Sequence, residues 1–265
     1  MAADGSSHKM PVLFIGHGSP MNAIEHNAFT ESLGHLSARL PRPNAVCVVS
    51  AHWVTSGTQV LKSEHPRTIH DFYGFPPPLY EVQYPAPGAP QEAKRLASDP
   101  EIREDETWGL DHGAWSVLRH MYPKADVPAF QLSLDERRGF KEHLDLGREI
   151  SNLRERGVLI LGSGNIVHNL GRVDWDNPHG AYEWALEFDA RVKAAVEARD
   201  AHALAEPQKW GDALLSTAHP TLEHYLPLLY CIGTTDGKDA VSYPYEGFDF
   251  GSISMRAVLF QPAEV

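Results

Sequence analysis

The sequence predicts a single α/β domain built on a central mixed, mostly parallel sheet flanked by helices on both faces. Three observations predict it. Short apolar runs alternate along the chain with amphipathic helical patterns, as in strand–helix–strand architectures. The 265 residues, 42% hydrophobic and 22% charged, suit one ordinary core, and no internal repeat or low-complexity linker divides them. Several of the 15 histidines stand where strands should end, and open α/β sheets place their ligands there.

The elements follow in order. Residues 1–9 are polar and read as a disordered leader without the apolar centre of a signal peptide, leaving 10–265 as the single catalytic domain. Residues 11–16 form a buried strand ending at His17. Residues 24–40, with Phe29, Leu33, Leu36 and Leu40 on one face, form a helix stopped by Pro41 and Pro43. Residues 44–50 are the second strand, leading to His52, and 58–61 a short third. Residues 64–90 are rich in Tyr, Phe and Pro and cannot be a regular element, because proline removes a donor and fixes φ; they are expected to form an ordered functional loop. A helix covers 90–98, and a loop from Trp108 runs into a helix over about 114–122. A strand at 127–132, a charged helix at 136–155 and a strand at 157–162 come next. Helices at 180–198, 201–206 and 221–232 and a last strand at 252–260 complete the chain.

Charge and composition exclude several classes. A net charge of −12 with no basic run argues against nucleic acid and anionic lipid as partners. No apolar stretch approaches a membrane span. The two cysteines, Cys47 and Cys231, lie in apolar runs and read as reduced core residues, which points to the cytoplasm and excludes a thiolate zinc site. There is no GxGxxG, no Gly-Lys-Ser/Thr phosphate loop, no GxSxG elbow and no HExxH, so nucleotide binding, a Ser-His-Asp hydrolase and that class of zinc protease are unsupported.

What remains is imidazole chemistry. Glycines flank His17 in Gly16-His17-Gly18-Ser19-Pro20 and leave its ring uncrowded; a plain turn capping a helix is the bland alternative. Ser50-Ala51-His52-Trp53 ends the neighbouring strand, so His17 and His52 could meet at one ion. In Asp111-His112-Gly113-Ala114-Trp115, Asp111 is either a helix cap or a carboxylate supporting the site, and His112 could donate to a bound anion. His168 follows Gly162-Ser163-Gly164-Asn165 and points towards the strand ends. His219, Glu223 and His224 are three further possible ligands, although Glu223 equally suits the first turn of a helix beginning at Thr221.

Together these motifs, with Glu223-His224-Tyr225-Leu226-Pro227-Leu228, resemble the class III extradiol ring-cleavage dioxygenases, in particular the 4,5-DOPA extradiol dioxygenase-like group of bacteria and plants. The likeness runs in order from about residue 10 to 260. It implies a non-haem Fe(II) enzyme of aromatic compound catabolism that opens a catechol with dioxygen to a muconic semialdehyde, with Zn(II) possible in isolated protein. It implies His17, His52 and His224 as metal ligands, in place of the two-His, one-carboxylate set of the wider class. His168 is implied as acid/base and, when zinc is bound, as a further ligand, and His112 as a histidine facing substrate or dioxygen. Trp53, Tyr73 and His219 are candidates for substrate contact. A monomer or homodimer is expected. The alternatives are a zinc hydrolase using metal-bound hydroxide, with His168 or Glu223 as base, and a non-enzymatic scaffold on the same fold.

Overall fold

Strand β1 (Val12–Gly16) is buried along its whole length, as its unbroken apolar run requires. The structure is a computed structural model and describes residues 9–263. After β1 come α1 (Ala28–Arg39), β2 (Ala45–Thr55), β3 (Gln59–Leu61) and β4 (Arg67–Thr68). Then follow α2 (Pro77–Tyr80), α3 (Pro90–Leu96), β5 (Arg103–Asp105), β6 (Gly109–Leu110), α4 (His112–Met121) and β7 (Ala129–Asp135). Next are α5 (Phe140–Glu149), β8 (Val158–Gly164), α6 (Glu183–Glu197), α7 (Ala201–Leu204), α8 (Asp212–Ala218) and α9 (Leu226–Thr234). The chain closes with β9 (Ala240–Tyr245), β10 (Phe248–Asp249), β11 (Ile253–Ser254) and β12 (Ala257–Gln261).

Eight strands form the main sheet in the order β5-β3-β7-β2-β8-β1-β12-β9. The central run β7-β2-β8-β1 is parallel, while β12 and β9 add on antiparallel. Side chains alternate between two cores. Val12 and Phe14 join Cys47, Val49 and Ile160 under α3, α5, α6 and α9. Leu13 and Ile15 join Val46, Val48 and Leu161 under α1 and α4. Each such fully buried side chain contributes about 1.5–3 kcal/mol. The expected fold, a mixed and mostly parallel sheet covered on both faces, is the one observed. Among the described residues no helix is long and apolar enough to cross a membrane. Cys47 and Cys231 are buried and unpaired with each other.

Several boundaries differ from expectation. The leader predicted for residues 1–9 lies outside the described residues except for Lys9, which pairs with Asp236 at 2.6 Å. The loop at 64–90 is not wholly irregular: Pro77 and Pro78 occupy the first turn of α2, where a missing N–H costs nothing. The helix expected from Thr221 begins at Leu226, so Glu223 stands before it, not in its first turn. Strand β9 and helix α8 were absent from the sequence expectation, and the predicted strand at 252–260 is broken into β11 and β12.

Two features of the fold build the site. The parallel strands β1, β2 and β8 bring their carboxyl ends together, with Gly16 beside Gly164 and Ser50 beside Ser163. A separate two-stranded pair, β4 with β6, ties the aromatic loop to the start of α4. Ile69 N donates to Leu110 O at 2.8 Å, and Trp115 Nε1 donates to Ile69 O at 2.7 Å.

Candidate metal centre

His17 leaves β1 directly and is buried, with its backbone N donating to Gly164 O at 3.0 Å. Its tautomer is dictated by Ser163. The Ser163 hydroxyl spends its one proton on Gly113 O at 2.6 Å, so it must accept from His17 Nδ1 at 2.9 Å. His17 Nε2 therefore offers a lone pair. It faces His52 Nε2 at 3.1 Å.

His52 lies near the end of β2, and its Nδ1 is 3.4 Å from Asp71 Oδ2. A carboxylate there favours a proton on Nδ1, which turns a second lone pair towards His17. The third ring, His224, sits in the turn between α8 and α9 and is buried with neither nitrogen hydrogen-bonded. Glu223 Oε1 is 3.4 Å from its Nδ1 but accepts its hydrogen bond from Thr221 Oγ1 at 2.7 Å. One ligand atom from each of His17, His52 and His224 lies within 4.8 Å of the others. Glu223 is outside that group.

The turn holding His224 approaches β8 closely. A Cβ on Gly164 would collide with the His224 carbonyl oxygen, and Asn165 N donates to that same oxygen at 2.9 Å. Only glycine fits at 164, which is the physical reason for the small residue at the end of β8.

Electrostatics keep the rings neutral. Burial first, then the mutual repulsion of His17, His52, His112, His168 and His224, holds His17, His52 and His224 well below the ordinary histidine pKa. Neutral imidazoles with opposed lone pairs and an orphaned third ring suit a divalent cation of the iron or zinc type.

His168 is stacked face to face on His224, with ring centroids 3.5 Å apart and planes at 5°. It stands outside the group of three ligand atoms, and burial brings its pKa down to about 4. His112 opens α4, with its ring 3.9 Å from that of His52. Its Nδ1 donates to Asp71 Oδ2 at 2.8 Å and its backbone N to Asp71 Oδ1 at 2.8 Å. Asp111 proves to be the cap of α4: it accepts from Ala114 N at 3.1 Å, Ser50 Oγ at 2.7 Å and Gln131 Nε2 at 2.8 Å. That helix starts earlier than the expected Ala114.

The three proposed substrate contacts do not gather here. Trp53 is buried and stacked on Trp108 at 5.6 Å. Tyr73 is 93% exposed. His219 packs against Phe188 and Tyr225 and donates Nε2–H to Ile166 O at 2.7 Å, which locks it in the core. The aromatic loop does reach the site, but through Phe72, whose ring lies 5.6 Å from that of His112 and 5.2 Å from that of Tyr80. Phe72 and Asp71 are what the sequence reading missed. No periodicity marks them; the alternation of ring and carboxylate in His70-Asp71-Phe72 was the only signal.

Residues 3–254 match the family described as the catalytic LigB subunit of aromatic ring-opening dioxygenase. The chain belongs to the LigB family. A relative from Escherichia coli K12 named 4,5-DOPA dioxygenase extradiol is 47% identical over 260 residues, covering 96% of this chain and 95% of that protein. A protein of the same name from Portulaca grandiflora is 32% identical, covering 93% and 94%. The crystal structure of an uncharacterised protein from Escherichia coli K12 superposes with a TM-score of 0.82 at 42% identity, covering 94% of this chain and 99% of that one. As a LigB-family protein the chain is an extradiol ring-cleavage dioxygenase, and the hydrolase and scaffold alternatives give way to that membership.

Proposed function

We propose that this enzyme opens the ring of a DOPA-like catechol with dioxygen, using one non-haem Fe(II) held by His17, His52 and His224, to give a muconic semialdehyde. The observation that carries the reading is the approach of His17 Nε2 to His52 Nε2 at 3.1 Å beside the two ring nitrogens of His224, neither of which is hydrogen-bonded. Held by these three imidazoles, a ferrous ion would acidify a bound catechol hydroxyl and would offer open positions to catechol and dioxygen. Three protein ligands leave those positions free.

The protein's own groups handle protons and orientation. His168 is kept neutral by burial and is the general base that accepts the hydroxyl proton at a ring nitrogen. Once protonated it is the acid that returns a proton during ring opening. His112 has Nδ1 committed to Asp71, so Nε2 is the nitrogen left to face substrate or dioxygen. Phe72, backed by Tyr80, supplies an aromatic wall beside His112. The DOPA-like substrate class rests on the names of the relatives at 47% and 32% identity. The enzyme acts in the cytoplasm, as monomer or homodimer.

The test is a panel of catechols assayed aerobically with protein reconstituted with Fe(II), following oxygen uptake and absorbance. A yellow product with stoichiometric oxygen consumption is expected, with zinc-loaded protein inactive. Turnover with zinc and none with iron would overturn the proposal.

A further inference from the structure

Among the described residues, Asp71 is the one carboxylate that reaches two of the site's histidines at once: its Oδ2 is 2.8 Å from His112 Nδ1 and 3.4 Å from His52 Nδ1. It is no surface charge, since its side chain is only 16% exposed. It does not drift either, because Oδ1 accepts the backbone N–H of His112 at 2.8 Å. The strand pair β4–β6 and the Trp115 Nε1 bond to Ile69 O hold the segment leading to it. We propose that Asp71 is a positioning residue that sets the tautomers of both histidines, placing the Nδ1 proton of each towards itself. His52 Nε2 is thereby left bare for the metal, and His112 Nε2 is left as the ring's working atom. The inference rests on the proposed metal centre and extends it from ligands to the group that orients them.

Asp71→Asn reverses the hydrogen-bonding sense of the contact, and a measurement of the ring tautomers separates a positioning carboxylate from a ligand. The His112 backbone N–H can only donate, so the new amide must put its oxygen there. Its NH2 then points at both Nδ1 atoms. A donor facing His52 Nδ1 favours a lone pair on that nitrogen and a ring proton on Nε2, where the ion should bind. Ser163 performs the same task for His17 through a hydroxyl, whereas Asp71 links a ligand ring to a ring outside the ligand set.

Two measurements test this. The first is Zn(II) affinity by chelator competition, with the melting temperature of the metal-free proteins recorded alongside. The wild type should bind one zinc, and Asp71→Asn should bind it about 10–100-fold more weakly. Equal affinities would overturn the role of Asp71 while leaving the metal centre intact. A wild type that takes up no zinc would overturn the centre itself, and this inference with it. The second needs no variant and survives any failure of Asp71→Asn to fold. Long-range proton–nitrogen correlation spectra of zinc-loaded, histidine-labelled wild type should show both His52 and His112 protonated at Nδ1. A proton on Nε2 of His52, or a bare Nδ1 on His112, would refute the assignment.

Discussion

His17 and His52 face each other nitrogen to nitrogen, Nε2 to Nε2, at 3.1 Å. Ser163 requires the His17 proton on Nδ1, and the Asp71 carboxylate favours the same for His52. Two opposed lone pairs at hydrogen-bond distance repel unless a cation lies between them. Zinc or ferrous ion should therefore stabilise the fold by mass action. At 100 times the dissociation constant the gain is about 2.7 kcal/mol, read as a rise in melting temperature that a chelator reverses.

Removing the hydroxyl that sets the His17 tautomer should loosen the centre without touching a ligand. Ser163→Ala leaves His17 Nδ1 and Gly113 O unpaired in a buried setting, at a cost of about 1–3 kcal/mol. Zinc affinity should drop about 10-fold. Chemical denaturation and a zinc titration check the two effects separately.

Gly164→Ala should be more damaging than its one added methyl implies. The new Cβ falls on the carbonyl oxygen of His224, which is backbone and cannot rotate away. The expected cost is about 3 kcal/mol, with the His224 turn displaced and zinc binding weakened together.

The sequence disclosed the histidines of this site and hid the residues around them. His17, His52 and His168 follow apolar runs or glycine motifs, so strand periodicity places them near the strand ends. Asp71 comes to the site through strands of two residues, β4 and β6, too short to carry a period. Phe72 and Tyr73 are indistinguishable by composition, and only the path of the folded loop decides which one meets His112. Thr221 and Glu223 imitate a helix start, but Thr221 bonds Glu223 and the helix begins at Leu226 with Pro227 in its first turn. Strand β9 escaped notice because it contains Pro244, which an edge strand tolerates and a central one does not. The break before β12 falls where the chain passes from the β10–β11 pair to the main sheet, a change of partner with no local signal.

Acid should destabilise the protein through histidines buried away from the strand-end cluster. Burial lowers the pKa of His143 from 6.5 to about 4, and His143 Nε2 has no partner. The folded pKa is thus below the unfolded one, so the unfolded chain binds the proton first. Stability is complete above about pH 6.5 and falls as pH drops towards 4, by about 3 kcal/mol for this residue. Urea midpoints measured across that window should fall steadily, and His143→Gln should flatten the slope.

Arg154 and Asp239 form a fully buried ion pair at 2.7 Å, and Arg154 also donates to Met10 O and Thr234 O. Arg154→Met strands the Asp239 charge in the interior. A loss of about 3–5 kcal/mol is expected by equilibrium unfolding, and pairing it with Asp239→Leu should recover part of that loss.

The most direct measurement is the metal stoichiometry of the wild type and of five single variants, by titration of metal-free protein with Zn(II) or Fe(II). One ion per chain is predicted for the wild type, His112→Ala and His168→Ala, with binding abolished or cut by orders of magnitude in His17→Ala, His52→Ala and His224→Ala. Unaltered tight binding in any of those last three, or no stoichiometric uptake by the wild type, would contradict a centre built from these three imidazoles.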